Sequence, residues 1–117
     1  MTKSTGAIPD LSQRVKALIW EIFPPADAPR IRELVREFHW TLGPAFDDRI
    51  HLDILEICDG KVERVRELVE LAKVDWRDLI MVAEYDAVGG KIVQNDRGKI
   101  RLAELHVEKM RRAADGE

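Results

Sequence analysis

Residues 49–73 read RIHLDILEICDGKVERVRELVELAK. Apolar side chains recur at helical spacing on both sides of Asp59-Gly60. Phe46, Ile50, Ile54 and Ile57 precede it; Val62, Val65, Leu68, Val69 and Ala72 follow it. That period belongs to one face of an α-helix, and Asp-Gly is a strong turn signal. The stretch therefore reads as a helical hairpin, with one helix over about 45–58 and the next from 61 to about 73. Asp47 and Asp48 fall in the first turns of the former, where negative charge suits the helix dipole.

The same pattern occurs upstream. With an offset of 35, Arg14/Arg49, Ile19/Ile54, Glu21/Glu56 and Ile22/Ile57 are identical. With an offset of 34, so are Arg30/Arg64, Arg32/Arg66, Glu33/Glu67, Leu34/Leu68 and Val35/Val69. Each block is a helix, and the one-residue change falls in the turn, where length changes are cheapest. Duplication of a helical hairpin explains the ordered pairing of two consecutive helices. The competing explanation is that amphipathic helices draw on few residue types. Two units are fewer than a solenoid needs, and tetratricopeptide spacing is not met. A compact bundle is the expected outcome.

The other elements follow from stops and caps. Asp10 with Gln13 makes a capping box for a first helix striped by Leu11, Val15, Leu18, Ile19 and Ile22. Phe23-Pro24-Pro25 stops it. Asp27 caps a second helix with Pro29 in its first turn and Ile31, Leu34, Val35, Phe38 and Leu42 as its stripe; Gly43-Pro44 ends it. Asp75 caps a fifth helix, lined by Trp76, Leu79, Ile80 and Ala83. Residues 86–98, with Gly89-Gly90 and Asn95-Asp96, read as a loop. The alternative is a small hairpin pairing Ile92 and Val93 with Ile100 and Leu102 around Asn95-Asp96. A last helix over 99–114 turns Ala103, Val107 and Met110 inward. The expected fold is all-α: a single-domain bundle of about six helices. It contains two pseudo-repeated hairpins (10–42 and 45–73), a flexible N-terminus over 1–9 and a frayed end over 115–117.

Residues 49–85 resemble a segment of short bacterial helical proteins. The carrying residues are Asp59-Gly60, Val65 and Leu68, Val74-Asp75-Trp76-Arg77-Asp78-Leu79 and Ala83-Glu84-Tyr85, with Phe23-Pro24-Pro25 also similar. The resemblance implies a bacterial or phage origin and a helical fold, and no activity. It stops at Asp86.

Composition bounds the function. The chain has 117 residues, enough for one domain. A net charge of −3 and a pI near 5.7 argue against a globally basic nucleic-acid binder. The single Cys excludes an intrachain disulfide framework. The longest apolar run, Leu79 to Ala83, is five residues, far short of a membrane span. No apolar leader precedes Asp10, so a soluble cytoplasmic protein is expected.

Few residues suggest chemistry. Asp47 and His51 share a helix face, as a metal site or general base would need, but they make an incomplete ligand set. A semi-buried His51 satisfied by Asp47 is expected. Cys58 reads as core, and Arg77 as a local ion pair pinning a turn. No cofactor motif is present. The last helix carries Lys99, Arg101, Lys109, Arg111 and Arg112 against Glu104 and Glu108. This basic face is a possible set of phosphate contacts, although no aromatic follows Tyr85 to stack a base. Trp76 lies on its stripe, whereas Trp20 and Trp40 lie off theirs. An off-stripe Trp covers a second layer or anchors a partner. The leading expectation is a non-catalytic interaction module, with a homodimer as one form of it and Trp20 and Trp40 near the contact. The alternatives are a nucleic-acid-associated regulator using the last helix, and an enzyme or metal binder at Asp47/His51.

Overall fold

The computed structural model describes residues 10–39 and 43–114. It is mostly helical, with one two-stranded sheet among the described residues. The order is α1 (Gln13–Ile22), α2 (Ala28–Arg36), α3 (Pro44–Ile57), α4 (Val62–Glu84), β1 (Tyr85–Val88), β2 (Lys91–Gln94) and α5 (Asp96–Ala114). Trp40, Leu42, residues 1–9 and the frayed end fall outside the described residues. Among the described residues, no helix is long and apolar enough to cross a membrane.

The apolar stripes of α1 to α4 converge on one core. Val15 and Ile19 of α1, Ile31 and Val35 of α2, Ile50 and Ile54 of α3, and Val65, Leu68 and Val69 of α4 are all buried. The central helix is α3: six consecutive residues from Ile50 to Leu55 are buried, so both its faces are covered. Gly43 precedes it at φ +116, a backbone region few other residues adopt, and Pro44 opens it. The turn after it puts Asp59 at φ 59 and Gly60 at φ 67, the left-handed pair that Asp-Gly tolerates.

Caps differ from expectation at α1. Ser12, not Asp10, is the N-cap: its hydroxyl accepts from the Val15 amide at 3.2 Å. Asp10 instead takes the Leu11 amide and Lys16. Asp27 precedes α2 without a side-chain cap bond.

Among the described residues there are five helices rather than the six expected. The fourth and fifth expected helices run together as α4, kinked at Asp75, whose φ −154 and ψ 92 are not helical. The Asp75 carboxylate accepts the Arg77 amide at 3.0 Å, restarting the ladder beyond the kink. Trp76 then packs edge-on against Phe46, with ring centroids 4.8 Å apart, and the Arg77 guanidinium lies 5.2 Å over the Trp76 ring. Arg77 thus stacks rather than forming the expected ion pair.

Residues 86–98 are not a loop, and the hairpin does not turn at Asn95-Asp96. β1 and β2 pair antiparallel from Tyr85↔Gln94 to Val88↔Lys91, around Gly89 and Gly90. Both glycines have positive φ, which a two-residue hairpin turn needs. Asn95 is the junction. Its amide donates to the Glu84 carbonyl at 2.8 Å, and its side-chain oxygen caps α5 through the Gly98 amide at 2.9 Å. The last helix therefore starts at Asp96 rather than Lys99.

Gly98 packs directly on that junction. A Cβ placed there would lie 2.5 Å from the Glu84 carbonyl oxygen and 2.7 Å from Gln94 Cγ. Backbone cannot yield as a side-chain tip can. Gly98→Ala is expected to lower unfolding free energy by about 2 kcal/mol in urea titrations, the cost of overpacking a tight site. An unchanged midpoint would show that α5 does not seat on Glu84 as described.

Candidate interaction surface

The face α5 turns to the body is charged, not apolar. Arg97, Arg101 and Glu104 lie at i, i+4 and i+7, on one side of the helix. Opposite them, α3 presents Arg49, Asp53 and Glu56, spaced i, i+4 and i+7, and α4 ends on Glu84. The Arg49 guanidinium donates to Glu84 through two bonds of 2.9 and 2.6 Å. Arg101 donates to Asp53 at 3.0 Å and also to Glu56. Arg97 reaches Glu56 at 3.1 Å and the Ala83 carbonyl at 2.7 Å. Glu104 meets Arg14 of α1 at 2.9 Å, and Arg14 continues to Asp48.

Asp53 and Glu84 have no exposed surface, and Arg101 is 3% exposed. Burial of unpaired charge is costly, so protonation adjusts. Burial, then a hydrogen bond with Glu84, pushes the Asp53 carboxyl up to about 9. Burial alone would also raise Glu84, but Arg49, Asp53 and Arg101 outweigh it and hold Glu84 below the ordinary glutamate value. At neutral pH, Asp53 therefore keeps its proton and Glu84 is ionised. Four arginines (14, 49, 97 and 101) then face four carboxylates, those of residues 48, 56, 84 and 104.

Two carboxyls with separated pKa values are also the pattern of acid–base catalysis. Access decides between the readings. The cleft between α1, α3 and α5, of about 340 Å³, is lined by Arg14, Asp48, Arg49, Arg101 and Glu104 among others, and by neither Asp53 nor Glu84. Neither carboxyl of the pair has surface in contact with solvent. The cluster instead fixes α5 onto the body.

Asp47 and His51 do not pair. The His51 Nε2 donates to the Phe38 carbonyl at 2.8 Å, while Asp47 takes His39 at 2.9 Å. Burial holds the His51 pKa below its ordinary value, so the ring is neutral. Among the described residues, no group of three His, Cys, Asp or Glu side chains is placed to hold a metal ion. Cys58 is buried, donates to the Leu55 carbonyl, and has its thiol pKa raised by burial.

With the charged face inward, the apolar face of α5 points out. Ala103, Val107 and Met110, expected inside, are exposed, Val107 by 64%. Of eleven exposed large apolar side chains among the described residues, nine lie between Met81 and Met110. The hairpin contributes Val88, Ile92 and Val93, so apolar residues stand exposed on both of its faces. Of the basic residues suggested for phosphate, Lys99 and Lys109 are exposed, Arg101 is buried, and Arg111 contacts Glu108. The Arg112 side chain lies outside the described residues. Trp20 is 55% exposed, but it lies roughly 120° around α1 from Arg14, the residue that reaches α5. No protein-family model, no curated protein and no solved structure matches this chain.

Two substitutions test the cluster. Asparagine at position 53 is uncharged, like the protonated acid, and can still accept from Arg101. A carboxyl whose folded pKa is raised contributes stability in full below its unfolded value near 3.8, and loses it as pH rises toward 9. Asp53→Asn should therefore gain on the parent protein as pH climbs from about 4 to 9, at up to about 1.4 kcal/mol per pH unit and so by several kcal/mol at pH 8. A constant difference across that range, in urea unfolding at each pH, would place an ionised carboxylate at 53. Arg101→Met keeps the apolar stem and removes the charge, and should cost about 3 kcal/mol. Amide exchange should quicken first along α5; uniform quickening would mean that α5 is not separately anchored.

Proposed function

We propose that this protein is a non-catalytic helical interaction module whose contact surface is the outward face of the hairpin and α5. One observation carries the reading. The exposed apolar side chains are concentrated on elements whose position is fixed from beneath by buried ion pairs. Scattered single apolar residues on a surface need no explanation, but a concentration of them marks a binding site. A second copy, another protein or a ligand would cover it. Trp20 is a lesser candidate contact on a separate face.

A protein partner is favoured over nucleic acid. Arg101 is sequestered in the cluster and the exposed Arg111 is paired with Glu108, which leaves Lys99 and Lys109 as the described cations of the suggested set that are exposed and outside any ion pair. Two lysines give a weak phosphate grip. The duplicated hairpin belongs to the same proposal. Its paired positions Val15/Ile50, Ile19/Ile54, Ile31/Val65, Leu34/Leu68 and Val35/Val69 are buried in both halves, which supports a common origin. The resemblance of residues 49–85 supports a bacterial or phage setting, and we place the module in the cytoplasm.

A photo-crosslinking amino acid at position 107, compared with one at exposed Glu63, tests the surface in cells. Adducts above monomer mass are expected from position 107 and not from 63. Bare monomer at both positions would remove the proposal.

A further inference from the structure

The outward face of α5 is specific about its shape. Ile100, Ala103, Val107, Met110 and Ala114 follow spacings of three, four, three and four. This is the a/d seam of a two-stranded coiled coil, which fits the groove of another helix rather than a broad globular surface. On a 100° wheel the centre of the seam lies roughly 110° from the cluster face of Arg101 and Glu104. The body therefore leaves it open, and Ile100, Val107 and Met110 are all more than half exposed.

We propose that the seam is occupied by α5 of a second copy of this chain, in a parallel, two-fold pair. This rests on the interaction reading above and names its partner. Two features select the second copy. The β-branched residues of the seam, Ile100 and Val107, share the a position, the arrangement that favours two parallel strands. One flanking charge pair is self-complementary, while the next, His106 at g against Arg111 at e, is not. In a parallel pair, Lys99 at a g position falls across from Glu104 of the second copy at e, and the two-fold axis makes that contact twice. Glu104 keeps 39% of its side chain in solvent after meeting Arg14 and Arg101, so it is available to a further cation.

Parallel pairing also brings the two hairpins to the same end. Val88, Ile92 and Val93 can then extend the buried area. The extension matters because 19 residues make a helix of only about 28 Å, and a lone pair of that length is small beside standard interfaces. The dimer is accordingly a weak one, dissociating at concentrations of roughly micromolar order.

Sedimentation equilibrium of the full chain, from low to high micromolar, should show a monomer–dimer transition. Val107→Glu should abolish the dimer or weaken it at least about tenfold while leaving the thermal midpoint nearly unchanged, because residue 107 is exposed in the monomer. Val107→Cys should give a disulfide-linked dimer under mild oxidation; Cys58 is buried and does not compete. A chain that stays monomeric at every concentration would overturn the second-copy proposal. So would a dimer that Val107→Glu leaves intact. If the purified chain is monomeric while the position 107 crosslinker still captures adducts in cells, the interaction surface stands and its occupant is another protein. Monomer by sedimentation with no adducts would remove both.

Discussion

Glu84 is ionised, fully buried and held by two bonds from Arg49. Its carbonyl accepts the Asn95 amide, and its backbone leaves room for nothing larger than glycine at position 98. Thus one residue, the last of α4, receives α3 through its side chain and the start of α5 through its backbone. The hairpin is the link between these two attachments. A two-stranded ribbon is marginal alone in water. Here its ends are tied together at Glu84 and Asn95, so its geometry is imposed from its base.

Buried ion pairs are poor evidence of net stability, because desolvation consumes most of the Coulomb gain. Their effect here is on orientation. Rotating α5 by one residue, about 100°, would carry Arg101 away from Asp53 and Glu56 and leave buried charge without a partner. An apolar helix face tolerates such slippage far better, since side chains of similar volume substitute for one another. The cluster thus sets the azimuth of α5, and the azimuth decides which residues meet solvent. The proton on Asp53 belongs to the same constraint: without it, five carboxylates would share four arginines around a dry centre of Asp53, Glu84 and Arg101.

The parts of the fold legible in the sequence are those where burial is apolar. The stripes of α1 to α4 obey a 3.6-residue period, and Asp59-Gly60 can adopt the left-handed conformation that its turn requires. The reading of α5 failed because it assumed that the apolar stripe faces the core. Arg101 buries its guanidinium between the carboxyl of residue 53 and the carboxylate of residue 56, which are distant in sequence, so no local signal marks it. A weak trace existed in α3: Asp53 is the lone carboxylate in an otherwise apolar run from Leu52 to Leu55, with Arg49 one turn before it and Glu56 one turn after. The hairpin had its signal in Gly89-Gly90, but four-residue strands carry too little alternation to outweigh a loop reading. At Asp75 the sequence marked a real break: the backbone there leaves helical geometry and α4 is kinked.

Hydrophobicity and charge therefore exchange their usual places in α5. Between Tyr85 and Ala114, seven Lys and Arg stand against four Asp and Glu, yet several of those charges serve as internal anchors. The apolar residues of the same segment are left for the surface. Were α5 only a closing helix for the bundle, its stripe of Ile100, Ala103, Val107 and Met110 would be better turned inward, where each side chain would leave water. Ion pairs are costly enough to bury that their use here needs a compensating advantage. Freeing the apolar seam while holding the helix rigid supplies it, because a preorganised face loses less conformational entropy when a partner covers it.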